Sequence, residues 1–148
     1  MTPTLYGRWQ TRIFLLMTIG VIVTLPFALG YIGIGTSGIY FWVLFYAGIF
    51  GLTWDILYNW LQKFFWDHDW PGVVQFCACI VEGILLSLLI QLNLLPNIPQ
   101  PEFNLQWFVI HYSTVSIFAY LTAWVIMRLF FPRWRFRGGV WMGRWGKT

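Results

Sequence analysis

Charge is what this chain has least of. Asp, Glu, Lys and Arg together supply 9% of its 148 residues, against about 25% in a soluble domain, too little polar surface for a fold that meets water on every side. Acids are scarcest, five against nine Lys and Arg, which leaves a net charge of +4. Two cysteines, Cys77 and Cys79, are too few for a disulfide scaffold. Two positions apart on a helix they point about 200° away from each other and do not pair. The chain lacks polar low-complexity tracts, long linkers and a repeat with a fixed period, which excludes disorder, repeat arrays and a multidomain enzyme. It also lacks a nucleophile–base pair, a phosphate-binding glycine loop, paired catalytic carboxylates and any Cys/His spacing suited to a metal. Neither enzymatic activity nor a cofactor or metal is expected.

Apolar and aromatic residues fill the space that charge leaves. They amount to 59% and 22% of the sequence, and the mean hydropathy is +0.66. Four apolar stretches, at about 13–33, 39–61, 71–92 and 107–130, are each long enough to cross a hydrocarbon core, which takes roughly 20 helical residues. Continuous apolar runs exclude a transmembrane barrel, whose strands are shorter and alternate in polarity. The first run is longer than a signal-peptide core, lacks a small-x-small cleavage site and reads as a retained span, bent near Gly20 and Pro26. The expected fold is an all-α integral membrane protein, a single four-transmembrane-helix bundle over 1–148 that ends in a basic-aromatic tail at 131–148.

Basic residues give the orientation. Arg8, Arg12, Lys63, Arg128, Arg133, Arg135, Arg137, Arg144 and Lys147 all flank one side of these spans, while 34–38 and 93–106 contain no Lys or Arg. By the positive-inside rule both termini are expected to be cytoplasmic, in a bacterial inner membrane or a thylakoid or organelle membrane. Nine of the eleven tryptophans lie at or beyond the span ends, as amphipathic rings do at a headgroup boundary. The tail residues Arg133, Trp134, Arg135, Arg137, Trp141, Arg144 and Trp145 suit an anionic leaflet or an acidic partner. Nucleic acid is not an expected partner.

Ionisable groups inside a span are expensive, about 2.5–3.5 kcal/mol each, and mark candidate sites. Glu82 lies midway along the third span and shares a helical face with Gln75 and Cys79; Asp55, Asn59 and Gln62 form a similar stripe on the second. Facing each other, the stripes predict a polar pocket near the cytoplasmic side, with Arg128 in reach of Asp55. The alternatives to a solute or proton site are an interhelical hydrogen-bond lock with a snorkelling Arg128 and contact with a partner subunit. His111, near the outer end of the fourth span, is a candidate cofactor ligand or proton relay, or an ordinary hydrogen-bonding residue. The string Trp66-Asp67-His68-Asp69-Trp70-Pro71 suits helix capping by Asp69 and docking of the loop on a partner or on lipid. Pro96, Pro99 and Pro101 predict a stiff outer connector. Gly48 and Gly51 predict close helix packing on the second span.

The function this pattern favours is a non-catalytic membrane subunit, or an assembly or organising factor, of a larger membrane complex. Its expected partners are membrane lipids and either other membrane subunits or further copies of itself. The alternatives are a small homo-oligomeric channel or transporter using Glu82 and Asp55, and a pigment-, quinone- or haem-associated subunit.

Overall fold

The computed structural model describes residues 4–33, 37–65, 71–99, 103–131, 134 and 136–141. Among these the protein is all-α, with four helices long and apolar enough to cross a membrane. We number them α1 (Leu5–Ala28), α2 (Ile39–Leu61, extended by a 3-10 turn over Gln62–Phe64), α3 (Gly72–Gln91) and α4 (Leu105–Phe130). The shortest has 20 residues, which at about 1.5 Å per residue spans about 30 Å, the thickness of a hydrocarbon core.

Local chemistry sets the helix ends. The Thr4 hydroxyl accepts from the Gly7 amide and caps α1, and Asn104 caps α4 by accepting from the Gln106 and Trp107 amides, as short polar side chains do at free helix N–H groups. Helix α1 stops where Gly30 turns left-handed, at φ +76°. There the Gly30 and Tyr31 amides reach back to the carbonyls of Phe27 and Pro26, a Schellman ending. Asn93, at φ +54°, ends α3 in the same way, with Asn93 and Leu94 donating to Ile90 and Leu89. Helices α1 and α4 each contain a π-helical segment, Leu16–Gly20 and Thr122–Ile126 respectively.

Helix α1 starts eight residues before the apolar run at 13–33 and ends at Ala28. Hydropathy alone puts Arg8 and Arg12 outside the first span, whereas in the structure both lie within its first turns and face inward. The segment 93–99 is also more than a connector. Leu95 and Ile98 are buried in a cluster with Val43, Tyr46, Leu86, Ile90 and Phe108, and the Tyr46 hydroxyl donates to the Pro96 carbonyl at 2.8 Å. A second cluster, Leu15, Met127 and Trp134, closes the opposite end.

At that end the chain after α4 folds back on α1. The Thr4 amide donates to the Gly138 carbonyl, the Thr11 hydroxyl to the Gly139 carbonyl, Trp134 Nε1 to the Thr11 hydroxyl and the Trp141 amide to Gln10. The tail residues Trp134 and Trp141, expected at a lipid or partner surface, thus make contacts within the chain, while Arg137 is exposed. Gly7 allows this approach, because a Cβ there would strike the backbone of Gly138 and Gly139. Gly7→Ala is expected to lift this segment from α1 and to speed tryptic cleavage after Arg137 several-fold. Unchanged cleavage kinetics would contradict the contact.

Candidate functional site

Asp55 and Glu82, one from each polar stripe, meet across a cation that comes from α1. Arg12 is directed across the bundle to Asp55 on α2 and Glu82 on α3. Its Nε and one Nη donate to the two Asp55 oxygens at 2.9 Å each. Its Nη atoms reach the two Glu82 oxygens at 2.9 and 3.1 Å. Four of the five guanidinium N–H donors are thereby engaged with carboxylates that are 5% and 8% exposed. Charge-assisted, forked pairing of this kind compensates desolvation that a lone buried ion would leave unmet.

Helix α2 makes room for the guanidinium with a glycine. A Cβ at Gly51, one turn before Asp55, would collide with Arg12 Nη1, Cζ and Cδ. Antiparallel pairing of α1 with α2 continues on both sides of this point. Arg8 donates to Gln62 at 2.7 Å and Trp9 Nε1 to the Leu52 carbonyl at 3.0 Å. Further along, Leu16 lies against Gly48 and Leu44 against Gly20. Helices α3 and α4 are joined by the Tyr112 hydroxyl, which donates to the Cys79 carbonyl at 3.0 Å, and by the Tyr112 ring seated on Gly83.

Beside the Arg12 cluster is a cavity of about 180 Å³. Arg8, Arg12, Asp55, Gln75, Cys79 and Glu82 line it, with Arg128, Tyr120 and His111 contributed by α4. Gln75, Glu82, Asp55 and Arg128 are therefore brought to one space. Arg128 does not take Asp55; its guanidinium lies 3.7 Å from the centre of the Trp124 ring, a cation–π contact. Asn59 is half-buried and does not line the cavity. Both cysteines are free thiols.

His111 is buried, 1% exposed, and pairs through Nε2 with the Thr24 hydroxyl of α1 at 2.9 Å. The rings of Phe27 and Tyr40 pack on it with centroids 5.1 and 5.0 Å away. Among the described residues no group of three His, Cys, Asp or Glu side chains converges as a metal site. Trp66, Asp67, His68, Asp69, Trp70, Arg133, Arg135, Arg144 and Trp145 lie outside the described residues.

Comparison of the chain with protein-family models, curated proteins and solved structures gives no match.

Arg12 is the residue that hydropathy hides. Its signal is the i, i+4 pair Arg8 and Arg12 on one helical face, together with two span carboxylates in need of a cation and Gly51 one turn from Asp55. The glycine gives a test whose sign is decisive. At an ordinary helix position Gly→Ala stabilises by roughly 0.5–1 kcal/mol. Gly51→Ala is instead expected to destabilise by about 1–3 kcal/mol, as overpacking does, because Arg12 is held by four hydrogen bonds and cannot swing aside without losing them. Chemical unfolding in detergent measures it, and a gain in stability would contradict the placement of Arg12.

Proposed function

We propose that the chain is a non-catalytic integral membrane subunit, or an organising factor, of a larger membrane complex. Its four helices cross a bacterial inner membrane or a thylakoid or organelle membrane, with both termini on the cytoplasmic side. The observation that carries this reading is the closure of the Arg12–Asp55–Glu82 cluster within the bundle. With those charges satisfied internally, the outer faces of the helices are left to apolar and aromatic side chains, among them Phe41, Trp42, Phe45, Phe76 and Phe118. Such a surface suits lipid and the helices of neighbouring subunits, which associate by packing rather than by a hydrophobic drive. Support for the orientation is that Lys63, Arg128 and Arg137 lie toward the same end as the start of α1, where an anionic leaflet attracts them.

Gentle extraction from the native membrane, followed by native sizing and mass spectrometry, tests the reading. Stoichiometric recovery with other membrane proteins is the expected result, and recovery only as a monomer or small homo-oligomer would overturn it. The cavity against Glu82 favours a second reading, a small homo-oligomeric channel or transporter. That reading expects flux in reconstituted vesicles that Glu82→Gln abolishes. Pairing of both carboxylates with Arg12 weighs against it, since neither is left open to a passing cation.

A further inference from the structure

The cavity is long, and its two ends differ. On α4 the lining follows one face from His111 through Val115, Ala119 and Ala123 to Arg128, a rise of about 25 Å. Toward His111 its neighbours are apolar, with Val43 and Leu44 from α2, and the rings of Phe27 and Tyr40, which do not line it, pack on that histidine. The middle is polar. Arg12, Asp55, Gln75, Glu82 and Tyr120 all line it, and Arg12 fills only two of the roughly four acceptor sites that each carboxylate offers. A buried water needs two to four polar partners and takes roughly 30 Å³ in the liquid. A volume of about 180 Å³ in such surroundings holds several.

The other end is covered by the chain after α4. Gly7 and Thr11 of α1, Arg128 of α4, and Trp134 and Gly139 beyond it line the cavity there; Gly139 is buried and Trp134 is 6% exposed. This cover is a turn of its own and does not continue α4. The chain leaves helical geometry at Phe131, with φ −124° and ψ +67°, and the Arg137 and Gly139 amides both donate to the Trp134 carbonyl. Gly138 and Gly139 adopt left-handed φ values of +60° and +85°, which glycine takes without steric cost. One side chain latches the turn. The Thr11 hydroxyl accepts from Trp134 Nε1 at 2.9 Å and donates to the Gly139 carbonyl at 3.2 Å. A segment tied to one helix by a few hydrogen bonds opens locally at a cost well below that of unfolding the bundle.

We propose that the turn of Trp134 and residues 136–141 is a lid, latched at Thr11, over a water-filled inlet. The inlet leads from the basic end of the bundle to the Arg12 cluster and ends blind at His111. It admits water and small hydrophilic solutes and passes nothing across the membrane, so it stands or falls separately from the subunit reading.

The test places one reporter thiol in the full chain held in lipid nanodiscs, where both membrane faces meet the solution. In a Cys77→Ser, Cys79→Ser background, Ala119→Cys puts a thiol in the inlet. Ile117→Cys, at a position 49% exposed on α4, is the lipid-facing control. The probe is 2-sulfonatoethyl methanethiosulfonate, an anion excluded from hydrocarbon, which forms a mixed disulfide with the thiol and releases methanesulfinate. Mass spectrometry follows the labelling. Ala119→Cys is expected to label at least about tenfold faster than Ile117→Cys. Adding Thr11→Val, which removes both latch bonds, is expected to speed labelling at 119 by a further tenfold or so, the scale of one or two ordinary hydrogen bonds, and to leave 117 unchanged. Equal rates at 119 and 117 mean a dry cavity, and a rate at 119 indifferent to Thr11→Val means no lid; either result would overturn the proposal. Native Cys79, which lines the cavity, gives the same reading in a Cys77→Ser protein with α4 untouched. A reading that needs no variant is hydrogen exchange of the Trp134 indole N–H in wild type. It is expected to be faster than that of the backbone amides in the middle of α2 and α3, and exchange as slow as theirs would also overturn the lid.

Discussion

The bundle depends on one guanidinium. Arg12 joins α1 to Asp55 on α2 and to Glu82 on α3 through four hydrogen bonds, so three of the four helices meet at a single charged point. Burying ions costs several kcal/mol each, and that cost is met only while the geometry stays good. Sliding α1 by even one residue would leave two carboxylates facing each other without a cation. Other features fit around this constraint. Gly51 leaves the space that the guanidinium occupies, Gly20 leaves room for Leu44 of α2 against α1, and Gly7 lets the chain after α4 close over the start of α1.

Placing the charges inside decides what the outside offers. The exposed residues of α2 include Phe41, Trp42, Phe45, Ile49, Ile56 and Leu57, and those of α3 include Val73, Phe76, Ile80, Ile84 and Leu88. Without the internal pairing, Asp55 and Glu82 would need water, and such faces could not be uniformly apolar. The pairing has a second consequence: among the described residues α4 contributes no hydrogen bond to Arg12, Asp55 or Glu82. It meets the other helices through His111–Thr24, Tyr112–Cys79 and ring contacts, and the cavity forms where it stands beside the charged point.

Much of the architecture is legible in the sequence and part of the site is not. Four apolar runs translate into four helices because an apolar stretch of that length has few other stable forms. Asp55 and Glu82 can be singled out for the same reason that makes them costly. Their cation is harder to find, because a hydropathy window treats Arg8 and Arg12 as the flank of a span, where most such residues belong. A pairing across the bundle outweighs that tendency, and no local window contains it. Arg128 is nearer the expected boundary and looks the better partner, yet the Trp124 ring engages it instead. His111 is visible as an unusual residue, but its partner Thr24 lies 87 positions away, on another helix.

The most direct measurement of the central interaction is a double-mutant cycle between Arg12 and Glu82, read by chemical unfolding in detergent with Arg12→Met, Glu82→Gln and the double variant. Removing one partner of a buried pair typically costs about 3–5 kcal/mol. The double variant is expected to recover a large share of that loss, giving a coupling of about 2 kcal/mol or more within the range found for residues in contact. Additive single effects, with coupling below about 0.5 kcal/mol, would contradict the account.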